Sequence, residues 1–285
     1  MTFAEYLGQK RLSPATIETY LRYTNIFTGW LETEALSGAC FTYTDLLDFM
    51  QQLKKEGRSN HALRQLLCII RHYCAYLIRE GKRSDNPACG VYVRGQVRTL
   101  PTNLLSMDEL QQLYQLYAVQ LSVDRGKKIM LGLMIYQGVT VAELARIEAR
   151  HIHLEAGKIR IKATRRSGER ILPLDGVQVV ELQHYLKSKG HKEGPLLAES
   201  RKQVLSERNV QNRVRHMLKH LQQLNPRVTS ADQIRSSVIT YWLKSNNLRQ
   251  VQYMAGNKYI SSTERYKLTE LEDLQSELKR HHPMQ

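Results

Sequence analysis

Along nearly the whole 285-residue chain the apolar residues recur at three- and four-residue intervals, and in one place the spacing changes to strict alternation. Lys158-Ile159-Arg160-Ile161-Lys162 alternates, Arg165-Arg166-Ser167-Gly168 supplies a turn, and Arg170-Ile171-Leu172-Pro173-Leu174 returns. Side chains on a strand point to opposite faces in turn, so a period of two cannot bury one face of a helix. The segment is therefore expected to be a β-hairpin with a basic tip, set in an otherwise helical chain. The fold class that follows is mainly α with a small β-hairpin or sheet.

The helical stretches carry their own start and stop signals. Leu12-Ser13-Pro14 offers a Ser N-cap with Pro at the first helical position, and Ile17, Tyr20, Leu21, Tyr23, Phe27, Trp30 and Leu31 follow on one face. A second helix is expected from Tyr43 to Glu56, stopping at Gly57, and a third from Ser59 to Glu80, stopping at Gly81. The third bears Arg64 and Arg71 on its polar side. Asn86-Pro87 breaks the pattern, and residues 88–102, with Gly90, Arg94, Gly95, Arg98 and Pro101, show no sustained period. Ser106-Met107-Asp108-Glu109 is a capping box that opens the second half. Further helices are expected over 127–137, 142–147, 177–188, 203–223, 232–245, 248–255 and 261–268. A chain of this length suits two domains: a helical one over 1–88, a basic linker over 89–104, and a larger mixed one over 105–285.

The net charge of +15 is unevenly placed. Residues 51–100 hold 10 Lys and Arg against 3 Asp and Glu, and residues 201–250 hold 10 against 2. Two basic stretches, one in each half, suit a polyanion gripped from two sides, because Lys and Arg on phosphates release condensed counterions. No apolar run approaches the roughly 18 residues that span a bilayer, the longest being 129–136, and the N-terminus lacks a signal-peptide pattern. A soluble, cytoplasmic protein without a membrane partner is expected. The 4 cysteines, Cys40, Cys68, Cys74 and Cys89, have no C-x-x-C spacing and are expected to be reduced core residues. His151 and His153, and His216 and His220, have suggestive spacings, but nothing near them completes a metal set, so no metal is assigned.

The layout resembles the tyrosine recombinases, the phage-integrase-like family. The resemblance rests on Leu12-Ser13-x-x-Thr16-x-x-x-Tyr20 near the start, and on three C-terminal runs: Ile234-Arg235-Ser236-Ser237, Leu248 through Ala255-Gly256-Asn257, and Ser262-Thr263-Glu264-Arg265-Tyr266. It implies a helical N-terminal core-binding (SAM-like) domain followed by a mixed α+β catalytic-type domain. It also implies double-stranded DNA as partner, a nucleoid-associated location, and a homo-oligomer on DNA, dimer to tetramer, or a partner recombinase. The implied activity is site-specific recombination for a mobile element through a 3′-phosphotyrosyl intermediate. That bond conserves the energy of the broken strand, so no cofactor is implied.

Attack on a phosphodiester needs fixed cations at the non-bridging oxygens and proton donors and acceptors for the entering and leaving oxygens. The resemblance places Tyr266 as nucleophile and Arg235 as phosphate ligand. It places Arg165 where the family has a hairpin lysine, Asn257 where the L-G-H turn has histidine, Asp232 at the histidine of H-x-x-R, and Thr140 at the first arginine of T-G-L-R-x-x-E-L. Arg165 keeps a charge but is a poor proton donor, Asn257 can hydrogen-bond without shuttling a proton, and Thr140 brings no charge. Asp232, three residues before Arg235, could pair with it. Lys127 or Lys128 could substitute for the missing arginine. DNA contacts are expected from Arg64, Arg71, Arg94, Arg98, Lys128, Lys162 and Arg166, with Lys162 a strand residue beside the site. The second reading is a DNA-binding accessory or regulatory module of the same fold with weak or absent catalysis. A third, an unrelated helical nucleic-acid binder, requires that there be no hairpin over 158–174. The tail around Leu271, Leu274 and Leu278 has the spacing of a docking helix.

Overall fold

The computed structural model describes residues 1–93, 103–117, 122–189, 194–198 and 205–267, and the chain divides into two compact units, Met1–Arg98 and Thr99–Gln285. Arg94, Arg98 and the expected tail helix lie outside the described residues.

The first unit is built from α1 (Phe3–Gln9), α2 (Pro14–Thr33), α3 (Tyr43–Lys55) and α4 (Asn60–Arg79). Each begins at a hydroxyl N-cap: Thr2, Ser13, Thr42 and Ser59 accept from the backbone N–H three residues on, and Thr2 and Thr42 complete capping boxes with Glu5 and Asp45. Phe27 anchors the core, its ring centre 5.1 Å from those of both Phe41 and Phe49, with Leu31, Leu46, Leu66 and Ile70 around it. Of the cysteines expected in the core, only Cys74 is buried; Cys40, Cys68 and Cys89 are exposed, and all four are free thiols. Cys74 lies in phase with Ile70 and Leu77 on the inner face of α4, whereas Cys68 falls on the outer face and Cys40 and Cys89 lie in loops.

Arg64 and Arg71 project from α4 onto the chain that follows it. Arg64 donates from Nε and Nη2 to the Val93 carbonyl at 2.9 and 2.7 Å. Arg71 donates to the carbonyls of Ala88 and Val91 at 2.9 and 2.7 Å. The segment has no regular structure, so its carbonyls need side-chain donors, and Ala88 and Val91 are buried beneath it. The packed chain of this unit thus continues past Pro87 as far as Val93. Arg71→Met should remove two charge-assisted hydrogen bonds, weakening local structure by about 2–4 kcal/mol. Amide hydrogen exchange over 88–93 is the measurement, and unchanged protection there would contradict the role.

The second unit comprises α5 (Met107–Leu116), α6 (Ser122–Gln137), α7 (Val141–Leu144), β1 (Ile152–His153), β2 (Lys158–Ile161), β3 (Arg170–Pro173), α8 (Gly176–Lys189), α9 (Glu207–Leu224), α10 (Ala231–Ser245) and α11 (Leu248–Ala255). A last helical stretch covers 261–267. The strands form an antiparallel sheet in the order β1-β2-β3, with Ile159 opposite Leu172 and Ile161 opposite Arg170. The hairpin excludes the unrelated helical binder. Helix α6 runs through the core: Ile129, Met130, Leu131, Leu133, Met134 and Ile135 are all buried, and it packs against α5, α8, α9 and α10. A helix apolar on every side must be enclosed. No helix among the described residues is long and apolar enough to cross a membrane.

Candidate functional site

Helix α6 ends at Gly138, whose φ of +55° turns the chain sharply; a Cβ there would lie 3.1 Å from the Trp242 ring. Thr140 follows as N-cap of α7. Its hydroxyl accepts from the Glu143 N–H at 3.3 Å and donates to Glu143 Oε2 at 3.0 Å, and its own N–H donates to the same oxygen at 2.8 Å. The one proton a threonine hydroxyl can offer is therefore taken within the cap. Glu143 meets Arg170, which enters from the first position of β3: Nη1 donates to Oε1 at 2.6 Å and Nη2 to Oε2 at 3.1 Å, both side chains being wholly buried. Burial alone would raise the Glu143 carboxyl, but the hydrogen bonds and charge of Arg170, with the Thr140 N–H and the Ser167 hydroxyl, outweigh it and hold the group down at about 2. This fork-to-fork pair fixes α7 to the sheet.

Arg170 also sets the position of the next segment. Gly256, at the C-cap of α11 with φ +67°, sits so close that a Cβ would come 2.4 Å from Arg170 Nη1, so only glycine allows this approach. The Gly168 N–H donates to the Gly256 carbonyl at 2.8 Å, Ser167 pairs with Asn257 as an antiparallel bridge, and Lys258 Nζ donates to the Arg165 carbonyl at 2.9 Å. The turn after α11 is thereby clamped to the β2–β3 turn.

Arg235, on α10, completes the corner. Nη1 donates to the Gly138 carbonyl, and Nη2 donates to the Ala255 carbonyl at 2.7 Å and to Asn257 Oδ1 at 3.3 Å. Burial lowers its proton affinity and Arg170 lowers it further, while the charges of Glu143, Tyr266 and Asp232 oppose this; a guanidinium stays protonated throughout. Asn257 Nδ2 donates to Thr263 Oγ1 at 3.0 Å, and one turn later stands Tyr266, 3% exposed. Its hydroxyl accepts from Arg265 Nη2 at 2.5 Å, and the Arg265 guanidinium lies 4.6 Å from the ring centre. Arg235, Asn257 and Thr263 are thus joined by hydrogen bonds, and Tyr266, bonded to Arg265, lies near enough for its charge to act on Arg235, the corner being backed by the neutralised Glu143–Arg170 pair.

Other expected members lie elsewhere or behave differently. Asp232 is exposed in the first turn of α10 and forms no ion pair with Arg235 among the described residues; there it complements the helix dipole, while the Arg235 fork faces the Gly138 and Ala255 carbonyls. Lys128 pairs with Glu181 on α8 at 3.2 Å, with its ammonium 5.4 Å from the Tyr114 ring centre. Lys162 pairs with Glu148 at 2.9 Å. Arg165 and Arg166 are exposed in the β2–β3 turn. The sequence motifs assign no role to four residues of the site: Glu143, Arg170, Lys258 and Arg265. Two had a legible signal. Thr140-x-x-Glu143 is a capping box, and Arg170 falls in phase with the inward Leu172 and Leu174.

Comparison with known proteins agrees over most of the chain. Residues 103–271 match the model of the phage integrase family, and residues 1–81 match that of the phage integrase N-terminal SAM-like domain. Tyrosine recombinase XerC of Vibrio vulnificus is 31% identical over 234 residues, spanning 80% of this chain and 72% of its own. Among solved structures, the Tn1549 transposon integrase in complex with transposon right end DNA superposes with a TM-score of 0.69 at 16% identity, over 99% of each chain. The lambda integrase tetramer bound to a Holliday junction gives 0.67 at 14%, over 93% of this chain and 74% of that one. With the phage integrase model matched over 103–271, the SAM-like model over 1–81 and a XerC relative 31% identical across most of both chains, this chain belongs to the phage integrase family, the tyrosine recombinases.

Proposed function

We propose that the chain binds double-stranded DNA and cuts and rejoins it through Tyr266. The Tyr266 hydroxyl oxygen attacks phosphorus, the bond to the 5′ oxygen of the next nucleotide breaks, and a 3′-phosphotyrosyl link and a free 5′ hydroxyl result. A second 5′ hydroxyl reverses the step and reseals the strand. Arg235 supplies the fixed positive charge at the non-bridging oxygens, Asn257 a hydrogen-bond donor, and Arg165 and Arg166 charge from the β2–β3 turn. Thr140 and Asp232 act through the frame, as a helix cap and a first-turn carboxylate. The observation that carries this is the convergence of Arg235 and Tyr266, from separate helices, through Asn257 and Thr263. The setting is strand exchange between DNA sites of a mobile element, by two to four copies or with a partner recombinase, in the cytoplasm at the nucleoid.

The test is a duplex selected by the chain from random sequence and nicked beside the cleavage position, so that the short cleaved fragment escapes and the covalent complex persists. A denaturant-resistant protein–DNA species is expected. A second reading, DNA binding without cleavage, is favoured by Thr140, which replaces a cation with a hydroxyl already bonded to Glu143; it expects tight binding and no such species.

A further inference from the structure

We propose that Lys258 is the general acid for the leaving 5′ oxygen. This rests on the strand-cleavage reading above and names the residue that completes it. An alkoxide is a poor leaving group and must take a proton as its bond to phosphorus breaks. Around the corner the cations are Arg235, Arg265 and Arg165, and a guanidinium does not give up its proton in a protein. The Thr140 hydroxyl proton is bonded to Glu143, the Thr263 hydroxyl is wholly buried, and the Asn257 amide is not an acid. Lys162 and Lys128, the lysines assigned to DNA contact from sequence, are ion-paired to Glu148 and Glu181.

Lys258 is different in placement and chemistry. It directly follows Asn257, its side chain is exposed, and its ammonium reaches the Arg165 carbonyl at 2.9 Å. The Gly168–Gly256 hydrogen bond and the Ser167–Asn257 bridge hold that contact in place. The turn after α11 thus delivers an ammonium to the tip of the β2–β3 turn, where the turn's own cations are Arg165 and Arg166. In the step, Tyr266 Oη bonds to phosphorus and its proton passes to water. The phosphorus–O5′ bond breaks, and a proton from Lys258 Nζ goes to O5′. The resulting amine is reprotonated from solvent.

The experiment compares two nicked duplexes, one with the ordinary 5′ oxygen and one with sulfur at that bridging position, since a thiolate leaves without a proton. With the full chain, Lys258→Ala should slow covalent-complex formation about 100-fold or more on the oxygen duplex and no more than about threefold on the sulfur duplex. Lys258→Arg, which keeps the charge and can keep the hydrogen bond, should be as slow as Lys258→Ala on oxygen. Equal slowing on both duplexes, restoration by arginine, or no slowing in a chain whose unaltered form cleaves would overturn the role of Lys258 alone. Absence of a covalent complex from the unaltered chain on both duplexes would remove the strand-cleavage reading, and the acid with it.

Discussion

Tyr266→Phe is expected to abolish the covalent protein–DNA species, a fall of more than about a thousandfold, while duplex affinity stays within about threefold. The split follows from where the residue sits. The ring is 3% exposed and belongs to the core of the second unit, so phenylalanine fills the same slot without opening a cavity. Only the hydroxyl and its bond from Arg265 are lost, a change worth about 1 kcal/mol to stability. Neither is a large share of the phosphate contacts that set affinity, which come from the basic surface and depend on salt. Binding is to be measured by anisotropy at one fixed ionic strength, and cleavage by denaturing gel on the nicked duplex. A Phe variant that still forms the species would assign the attack to another group.

Glu143→Ala should destabilise the second unit by about 3–5 kcal/mol, the cost of leaving the buried Arg170 guanidinium without its carboxylate. The same substitution removes the acceptor of the Thr140 cap, so α7 loosens at its start. The linkage to pH has a definite sign. The carboxyl falls from its ordinary 4.5 to about 2 in the folded chain, so its contribution, roughly 3 kcal/mol, is fully present above about 4.5. It is lost as pH falls from there through about 2. Urea unfolding at pH 7 and at pH 3 should show most of that loss, about 2 kcal/mol, in the unaltered chain, and Glu143→Gln should unfold with a flatter dependence over the same interval. A Glu143→Ala chain within 1 kcal/mol of the unaltered one would show that the pair carries little of the frame.

Much of the architecture was legible because its signals are local. The alternation over 158–174 marked β2 and β3, and Ser106 with Glu109 marked the start of α5 by the capping box the structure contains. What escaped was short or contradicted a local rule. Helix α1 has 7 residues and β1 has 2, too few for a period to show. Helix α6 begins at Ser122 rather than near 127 because Gly126, a weak helix former, is buried inside it near Tyr185.

The corner divides in the same way. Arg235, Asn257 and Tyr266 stood out as residue types in spaced motifs. Their partners did not, because Arg235 is held by the carbonyls of Gly138 and Ala255 and Lys258 by that of Arg165, and a backbone carbonyl has no sequence signature. Asp232 shares a helix turn with Arg235 without an ion pair among the described residues, so their closeness in sequence did not decide the contact. Arg64 and Arg71, on a polar helix face, donate to carbonyls of the chain at 88–93, partners that carry no sequence signature.

The residue that carries the DNA can be located by digesting the trapped covalent complex of the unaltered chain and finding the nucleotide by mass spectrometry. The mass of the retained nucleotide is predicted on the peptide containing Tyr266, as a 3′-phosphotyrosyl bond. Its presence on any other residue, or its absence from a chain that binds the duplex tightly, would contradict the account.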